Sequence, residues 1–259
     1  MWRARAPDPV QIQRLRAARE HFGLATLSIH VNYLINLASE DPVIRAKSIA
    51  GFRGELERAA AIGADYLVLH PGSSRGRPAE AGIVSFARGL QEAAEGFRAP
   101  GLTVLLENTA GAGCCLGSRF EELHAIRETA AALTDLPVGY CLDTCHLLAA
   151  GFDISTPAGL RATLAAAEER LGLANVHLLH ANDSQGALGS RRDRHAGIGK
   201  GHIGLAGFQR MLHHPRLRSK TFILETPVLS RGDDRRNLNT LKALAERPGT
   251  KARHVLSTR

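Results

Sequence analysis

Apolar positions along this chain fall into two alternating patterns. Runs at 25–29, 65–69, 102–106, 138–142, 175–179 and 221–224 are mostly apolar or β-branched, and turn-forming or charged residues bound them. Runs of that length and composition read as buried strands. Between them, apolar residues recur at spacings of three and four. Ile49, Phe52, Leu56 and Ala60 form one such stripe. Ile83, Phe86, Leu90, Ala94 and Phe97 form a second, and Leu160, Leu164, Ala167 and Leu171 a third. Each stripe predicts a helix with one buried face.

The punctuation agrees with this division. Asp41-Pro42 and Thr156-Pro157 place a capping side chain before a proline suited to the first helical turn, and Gly63 and Gly172 close those helices. A leading basic helix is expected from Pro9 to His21, with Gly23 beyond its end. Ser118 and Glu121 have the spacing of a capping box. The stretch from Ala181 to Gly204 reads as a long polar loop before a short helix at 205–212. Asp233-Asp234 opens a last helix, and the tail at 248–259 is expected to fray.

Strand and helix thus alternate through six units, which predicts a parallel sheet in an α/β fold. The expected architecture is a (β/α) barrel of the TIM type over residues 1–259 as a single domain. Such a barrel wants eight units. Six are counted, so the expected barrel is shortened at its N-terminus by one or two strands, or is open.

The strands share a second property: each ends in a residue that can bind a metal. In order these are His30, His70, Glu107, Asp143, His180 and Glu225, and the following segments add His146, Asp193 and His195. A single strand-end His is commonly a satisfied hydrogen-bonding group, and a single Asp or Glu a helix cap. Six in succession are harder to explain that way. In a barrel they gather at the carboxyl face, where buried acids repel one another unless cations intervene. Imidazoles with carboxylates suit Zn²⁺ best, with Mn²⁺ or Fe²⁺ also possible. Asp193-Arg194-His195 also reads as part of a solvated charge run, and Cys141 and Cys145 read as small packing residues. Gly199-Lys200-Gly201 lacks the strand–loop–helix setting of a phosphate loop.

Composition narrows the class. The 259 residues are 44% hydrophobic, and the formal net charge is +8, which favours a polyanionic partner, nucleic acid first. No apolar run approaches the ~18 residues of a membrane helix. No signal-peptide pattern is seen, so a cytoplasmic location is expected. Four cysteines, two of them adjacent, do not suggest a disulfide framework.

Three stretches carry a family resemblance: His30 to Ala38, Gly139 to His146, and Leu179 to Ser184 continuing through Gly189-Ser190 to Asp193-Arg194-His195. Together with Glu107-Asn108-Thr109-Ala110-Gly111 and Leu224-Glu225-Thr226, they resemble the endonuclease IV family of abasic-site DNA-repair nucleases. The resemblance runs from about Trp2 to Glu246 and departs in places. Tyr140 stands where an aliphatic residue or Cys is usual, Gln185 where Lys is, and His202 where Asn is. The family's first two strands and its inserting arginine are not seen.

The resemblance implies a trinuclear zinc centre. His30, His70 and Glu107 would hold one ion; Glu107, Asp143, His180 and Glu225 a second; His146, Asp193 and His195 the third. Glu107, Asp143 and Glu225 would be the catalytic residues, as members of that centre. The implied reaction is metal-assisted cleavage of the phosphodiester 5′ to an abasic site, leaving a 3′-hydroxyl and a 5′-deoxyribose phosphate. The implied partner is double-stranded DNA met near the nucleoid by a monomer. Tyr33 and Leu34 would enter the base stack, against their alternative role as core residues. Arg75, Arg191, Arg192 and Arg194 would hold phosphates. Two other readings compete: a metal-dependent sugar isomerase or epimerase on the same barrel, and an inactive truncated paralogue that only binds abasic DNA.

Overall fold

The computed structural model describes residues 7–246. Helix α1 (Pro9–His21) starts at an Asp8 side chain that accepts the Val10 N–H, and no residue of it is buried. Its hold on the body is polar. Arg16 reaches the Ala61 carbonyl, and Arg19 reaches the Gly63 carbonyl and the Asp65 carboxylate. Strand β1 (Ser28–His30) leads to α2 (Pro42–Ile62), capped by Asp41 and closed by Gly63 in the left-handed conformation. Then follow β2 (Tyr66–Leu69), α3 (Ala79–Ala94), β3 (Thr103–Glu107) and α4 (Phe120–Ala131). Strand β4 (Val138–Asp143) runs straight into α5 (Thr144–Ala150), and α6 (Pro157–Leu171) precedes β5 (Val176–His180). A two-stranded antiparallel ribbon, β6 (Asp183–Ser184) with β7 (His195–Ala196), comes next. The chain then forms α7 (Gly204–His213), β8 (Thr221–Ile223) and α8 (Asp233–Ala245).

The main sheet has six strands in the order β1-β2-β3-β4-β5-β8, and every pairing is parallel. It curls into part of a TIM barrel. Among the described residues no ladder joins β8 back to β1. The Thr26 and Thr221 hydroxyls nevertheless lie 3.3 Å apart, so the two edges converge at the amino end of the strands. The twofold period of each strand divides the core. Val68, Leu105, Cys141 and Leu178 point inward and form a small cluster inside the curl, which confirms Cys141 as a packing residue. Their neighbours Leu67, Leu69, Leu106, Tyr140 and Leu142 point outward to the helices, against Phe52, Phe86 and Phe120. Tyr140, where the resemblance departs, is fully buried in that outer layer, and burial pushes its hydroxyl up to about 12.

Several expectations shift in detail. Strand β1 begins at Ser28, three residues later than its apolar run suggests, and the buried turn of α2 uses Ala59 rather than Ala60. Phe97 lies beyond the end of α3 and packs on the core from the following turn. The Ser118–Glu121 capping box does not form: Arg119 occupies the cap position without a side-chain bond, and Glu122 accepts the Gly117 N–H at 2.7 Å instead. The long polar loop contains the β6–β7 ribbon, and His146 sits in the first turn of α5. The expected frayed tail at 248–259 lies outside the described residues.

Candidate metal centre

Parallel strands end together, so their last residues meet at one face. All six strand-end residues do so here. Glu107 at the end of β3 is fully buried and occupies the middle, and its two oxygens face different neighbours. Oε2 lies 2.9 Å from His30 Nε2 and 3.2 Å from His70 Nε2. Oε1 lies 2.9 Å from His180 Nδ1 and 3.5 Å from His146 Nδ1. His180 Nδ1 also reaches Glu225 Oε2 at 3.1 Å. Two ligand groups follow, with donor atoms within 4.8 Å of one another: His30, His70 and Glu107; and Glu107, Asp143, His180 and Glu225.

The remaining residues form a third cluster beside these. Asp143 sits at the junction of β4 and α5, where its Oδ1 accepts the His146 N–H at 2.7 Å and caps the helix. That short helix directs His146 Nε2 to Asp193 Oδ2, 3.2 Å away. The β6–β7 ribbon brings His195 Nε2 to 3.4 Å from Asp193 Oδ1 and 3.7 Å from Asp143 Oδ2. Asp143, His146 and His195 make one compact donor set, and Cys145, Asp193 and His195 another. Burial raises the Cys145 thiol above its ordinary value, and its sulfur lies 3.6 Å from the Arg194 carbonyl, between two candidate ligands.

The electrostatics describe a site built for cations. Burial would raise the Glu107 carboxyl, yet the imidazoles of His180, His146 and His30 hold it well below the usual range. Burial would likewise lower His146, but Asp143, Asp193 and Glu107 lift it well above an ordinary imidazole. His180 is raised in the same way against its burial, by Cys141 and Glu107. Two buried nitrogens, His146 Nε2 and His195 Nε2, make no hydrogen bond although both face Asp193. A buried donor or acceptor left unbonded costs about 1–3 kcal/mol, and Asp193 meets these two nitrogens only as a close charge, without hydrogen-bond geometry. A divalent ion between imidazole and carboxylate would bond both, and the donor set fits it.

Uncharged polar side chains that the sequence did not single out hold these ligands in place. Asn108 Oδ1 accepts the Asp143 N–H at 2.7 Å, and its own carbonyl lies 2.9 Å from His146 Nδ1. Asn182, fully buried, donates to Asp143 Oδ2 at 2.5 Å and accepts the Glu225 N–H at 2.9 Å. The Thr144 hydroxyl bonds both the His180 and Asn182 carbonyls. The available signal was position: Asn108 follows Glu107 directly, and Asn182 follows His180 by two residues.

The surroundings of the site are exposed and basic. Tyr33 is 86% exposed and lines a cleft of about 190 Å³ with His30, His70 and Thr109. This excludes a core role for Tyr33. The Asn32 side chain accepts the Leu34 N–H at 3.0 Å and fixes the turn, and Leu34 itself is half-buried. Arg191, Arg192, Asp193 and Arg194 line a groove of about 510 Å³ with Gln185. Arg191 and Gly189 donate their backbone N–H groups to Ala149 and Leu148 at the end of α5, which ties this groove to the helix carrying His146. Arg75 is exposed, in the turn after β2. His202 donates its backbone N–H to the Ser184 carbonyl and leaves its side chain in solvent, so the geometry there does not depend on which side chain is present.

Fold and site together define a TIM-type barrel with a cluster of candidate metal ligands at the carboxyl face. The family model for the xylose isomerase-like TIM barrel matches residues 1–247. The probable endonuclease 4 of Solibacter usitatus is 69% identical over 245 residues, covering 95% of this chain and 84% of that protein. The crystal structure of endonuclease IV from Thermus thermophilus superposes with a TM-score of 0.81 at 39% identity, covering 94% of this chain and 84% of that one. A D-tagatose 3-epimerase-like protein shares the fold alone, with a TM-score of 0.65 at 20% identity over 92% of this chain and 83% of that one. The chain belongs to the endonuclease IV family of metal-dependent DNA-repair endonucleases.

Proposed function

We propose that this endonuclease cleaves the phosphodiester 5′ to abasic sites in double-stranded DNA, leaving a 3′-hydroxyl and a 5′-deoxyribose phosphate. It would act as a monomeric single domain, where the chromosomal DNA is, with three zinc ions. His30, His70 and Glu107 would hold the first ion; Glu107, Asp143, His180 and Glu225 the second; His146, Asp193 and His195 the third. The observation that carries this reading is the junction at Glu107, whose two oxygens each face a different set of imidazoles. One carboxylate can thus belong to two ligand groups.

When bound, the ions supply Lewis acidity, which offsets phosphate charge and brings the ionisation of water towards neutral pH. The protein's own part is placement. Asn108 and Asn182 hold Asp143 so that its carboxylate faces both the central group and His195. Glu225 is fixed through its backbone by the same Asn182. Arg75, Arg191, Arg192 and Arg194 offer cations to the phosphates that flank the lesion. Tyr33 and Leu34, on their pinned turn, occupy the gap in the stack. An abasic nucleotide has no base to unstack, so turning it into the site costs little, and this selects the lesion.

A sugar isomerase would use Glu107, Asp143, His180 and Glu225 but would leave His146, Asp193 and His195 without a task. The convergence of the His146 and His195 Nε2 atoms on Asp193 favours the nuclease. The test incubates purified protein with an abasic duplex oligonucleotide, with and without prolonged chelation, and counts metals by mass spectrometry. Chelator-sensitive incision with about three zinc ions per chain supports the reading. Tight binding without incision points to an inactive binder, and sugar turnover without incision to the isomerase; either result would overturn it.

A further inference from the structure

We infer that Asp183 is a positioning residue for the third ligand group: its carboxylate closes the base of the 184–204 segment and so sets Asp193 and His195 opposite His146. The inference rests on the three-group reading above.

Asp183 is a fully buried acid outside every candidate ligand group. Its Oδ1 accepts the N–H groups of Ser184 at 2.8 Å and Ile203 at 2.9 Å, and its Oδ2 that of Gly204 at 3.2 Å. A carboxyl group buried this deeply is tolerated when it is well bonded, and three backbone N–H groups bond this one. Its backbone pairs with Ala196, and that of Ser184 with His195. One residue therefore joins the departing strand, the returning strand and the entry to α7.

The fit is close. A Cβ at Gly201 would meet the Ser184 carbonyl oxygen and Asp183 Oδ1, and the His202 N–H donates to that same carbonyl at 2.8 Å. Between these fixed ends, residues 191–194 are exposed and have little core of their own. Gly189 and Arg191 tie the middle of the segment to α5, Asn237 holds Ile198, and the Asp183 carboxylate joins both ends beside the His202–Ser184 backbone bond. The first two ligand groups take every residue from outside this segment. A loosened clamp should therefore cost the third ion and spare the other two.

The side-chain geometry predicts a graded response. Asp183→Asn keeps an oxygen for Ser184 and Ile203 and turns its amide towards the Gly204 N–H; Asp183→Ala removes all three bonds. Residues that orient metal ligands typically contribute 10–100-fold in affinity. The expected loss for the third ion is about tenfold in Asp183→Asn and about 100-fold in Asp183→Ala. Gly201→Ala perturbs the same carboxylate from the other side and should also weaken the third ion alone.

The experiment titrates zinc-loaded wild type and the three variants with a chelator. It counts retained ions, and it measures kcat and KM on an abasic duplex before and after zinc is restored. One ion leaving early, two staying, and a lowered kcat recovered by excess zinc support the inference. A wild-type release profile in Asp183→Ala would overturn it, as would equal loss of all three ions in Asp183→Asn and Gly201→Ala. Wild-type protein that holds three ions but leaves abasic DNA uncut counts against the proposed reaction, and the order of ion loss in the variants still decides Asp183.

Discussion

The central and third ligand groups reach the same mouth by different means. Glu107, Asp143 and His180 end adjacent strands of one parallel sheet, and all three are buried. Their spacing is set by backbone ladders that the whole core supports. Asp193 and His195 instead ride on a two-residue ribbon and an exposed turn, and the Asp193 side chain is 49% exposed. Their position depends on a few side-chain and backbone ties. A ligand group on strands is thus part of the folding core, whereas one on a loop is as stable as its clamps. Sites on regular elements are generally the more accurately held.

The largest expected effect strikes the shared residue. Glu107→Ala removes the charge partner of several imidazoles in a closed interior, and breaking a buried pair typically costs about 3–5 kcal/mol. Chemical denaturation of the metal-free variant should show a loss of that order, and incision should fall below detection. Asp193→Ala should abolish incision equally while leaving the fold near wild-type stability and two ions in place, as a metal count and a denaturation curve would show. Equal destabilisation by the two substitutions would erase the contrast.

Acidity offers a second way to sharpen it. In chelated protein the raised His30, His146 and His180 stabilise the fold fully below about pH 6.5, and that contribution fades as pH climbs through their folded values. The lowered Glu107 and Glu225 stabilise fully above about pH 4.5 and lose this on acidification through their folded values. Thermal scans of metal-free protein should therefore show maximal stability between about pH 4.5 and 6.5. Zinc must displace the imidazole protons, so its apparent affinity should rise with pH over the same groups, and calorimetry in buffers of different ionisation heat should register proton release.

The smallest effects belong to the rim. Tyr33→Ala should lower affinity for abasic duplex by about 1–3 kcal/mol, the usual worth of one aromatic–base stack, with little change in metal content. Arg192→Ala should weaken binding modestly and reduce the salt dependence by about one counterion. A large loss of metal in either variant would show that rim and centre are not independent.

How much of this was readable depended on where the information lies. Ligands at strand ends were legible because each follows an apolar run, so the boundary of the run marks the face. The His146 helix was not, because Thr144-Cys145-His146-Leu147 is too short for a helical period and its start is set by the Asp143 cap. The capping box failed because Glu122, rather than Glu121, meets a free backbone N–H. The β6–β7 ribbon escaped notice because two-residue strands have no pattern of their own; tertiary contacts place them. The roles of Asn108, Thr144, Asn182 and Asp183 were hidden for the same reason, since each bonds a partner far along the chain or depends on burial to matter.

The sequence by itself determined the alternation of strand and helix, the identity of the residues that end the strands and the basic character of the chain. These follow from local periodicity and composition, which need no knowledge of distant residues. Tertiary structure alone decided that Glu107 faces two groups at once, that six strands curl until Thr26 meets Thr221, and that buried amides and one buried carboxylate fix the ligands. Those outcomes depend on distances between residues remote in sequence, which only the packed chain sets.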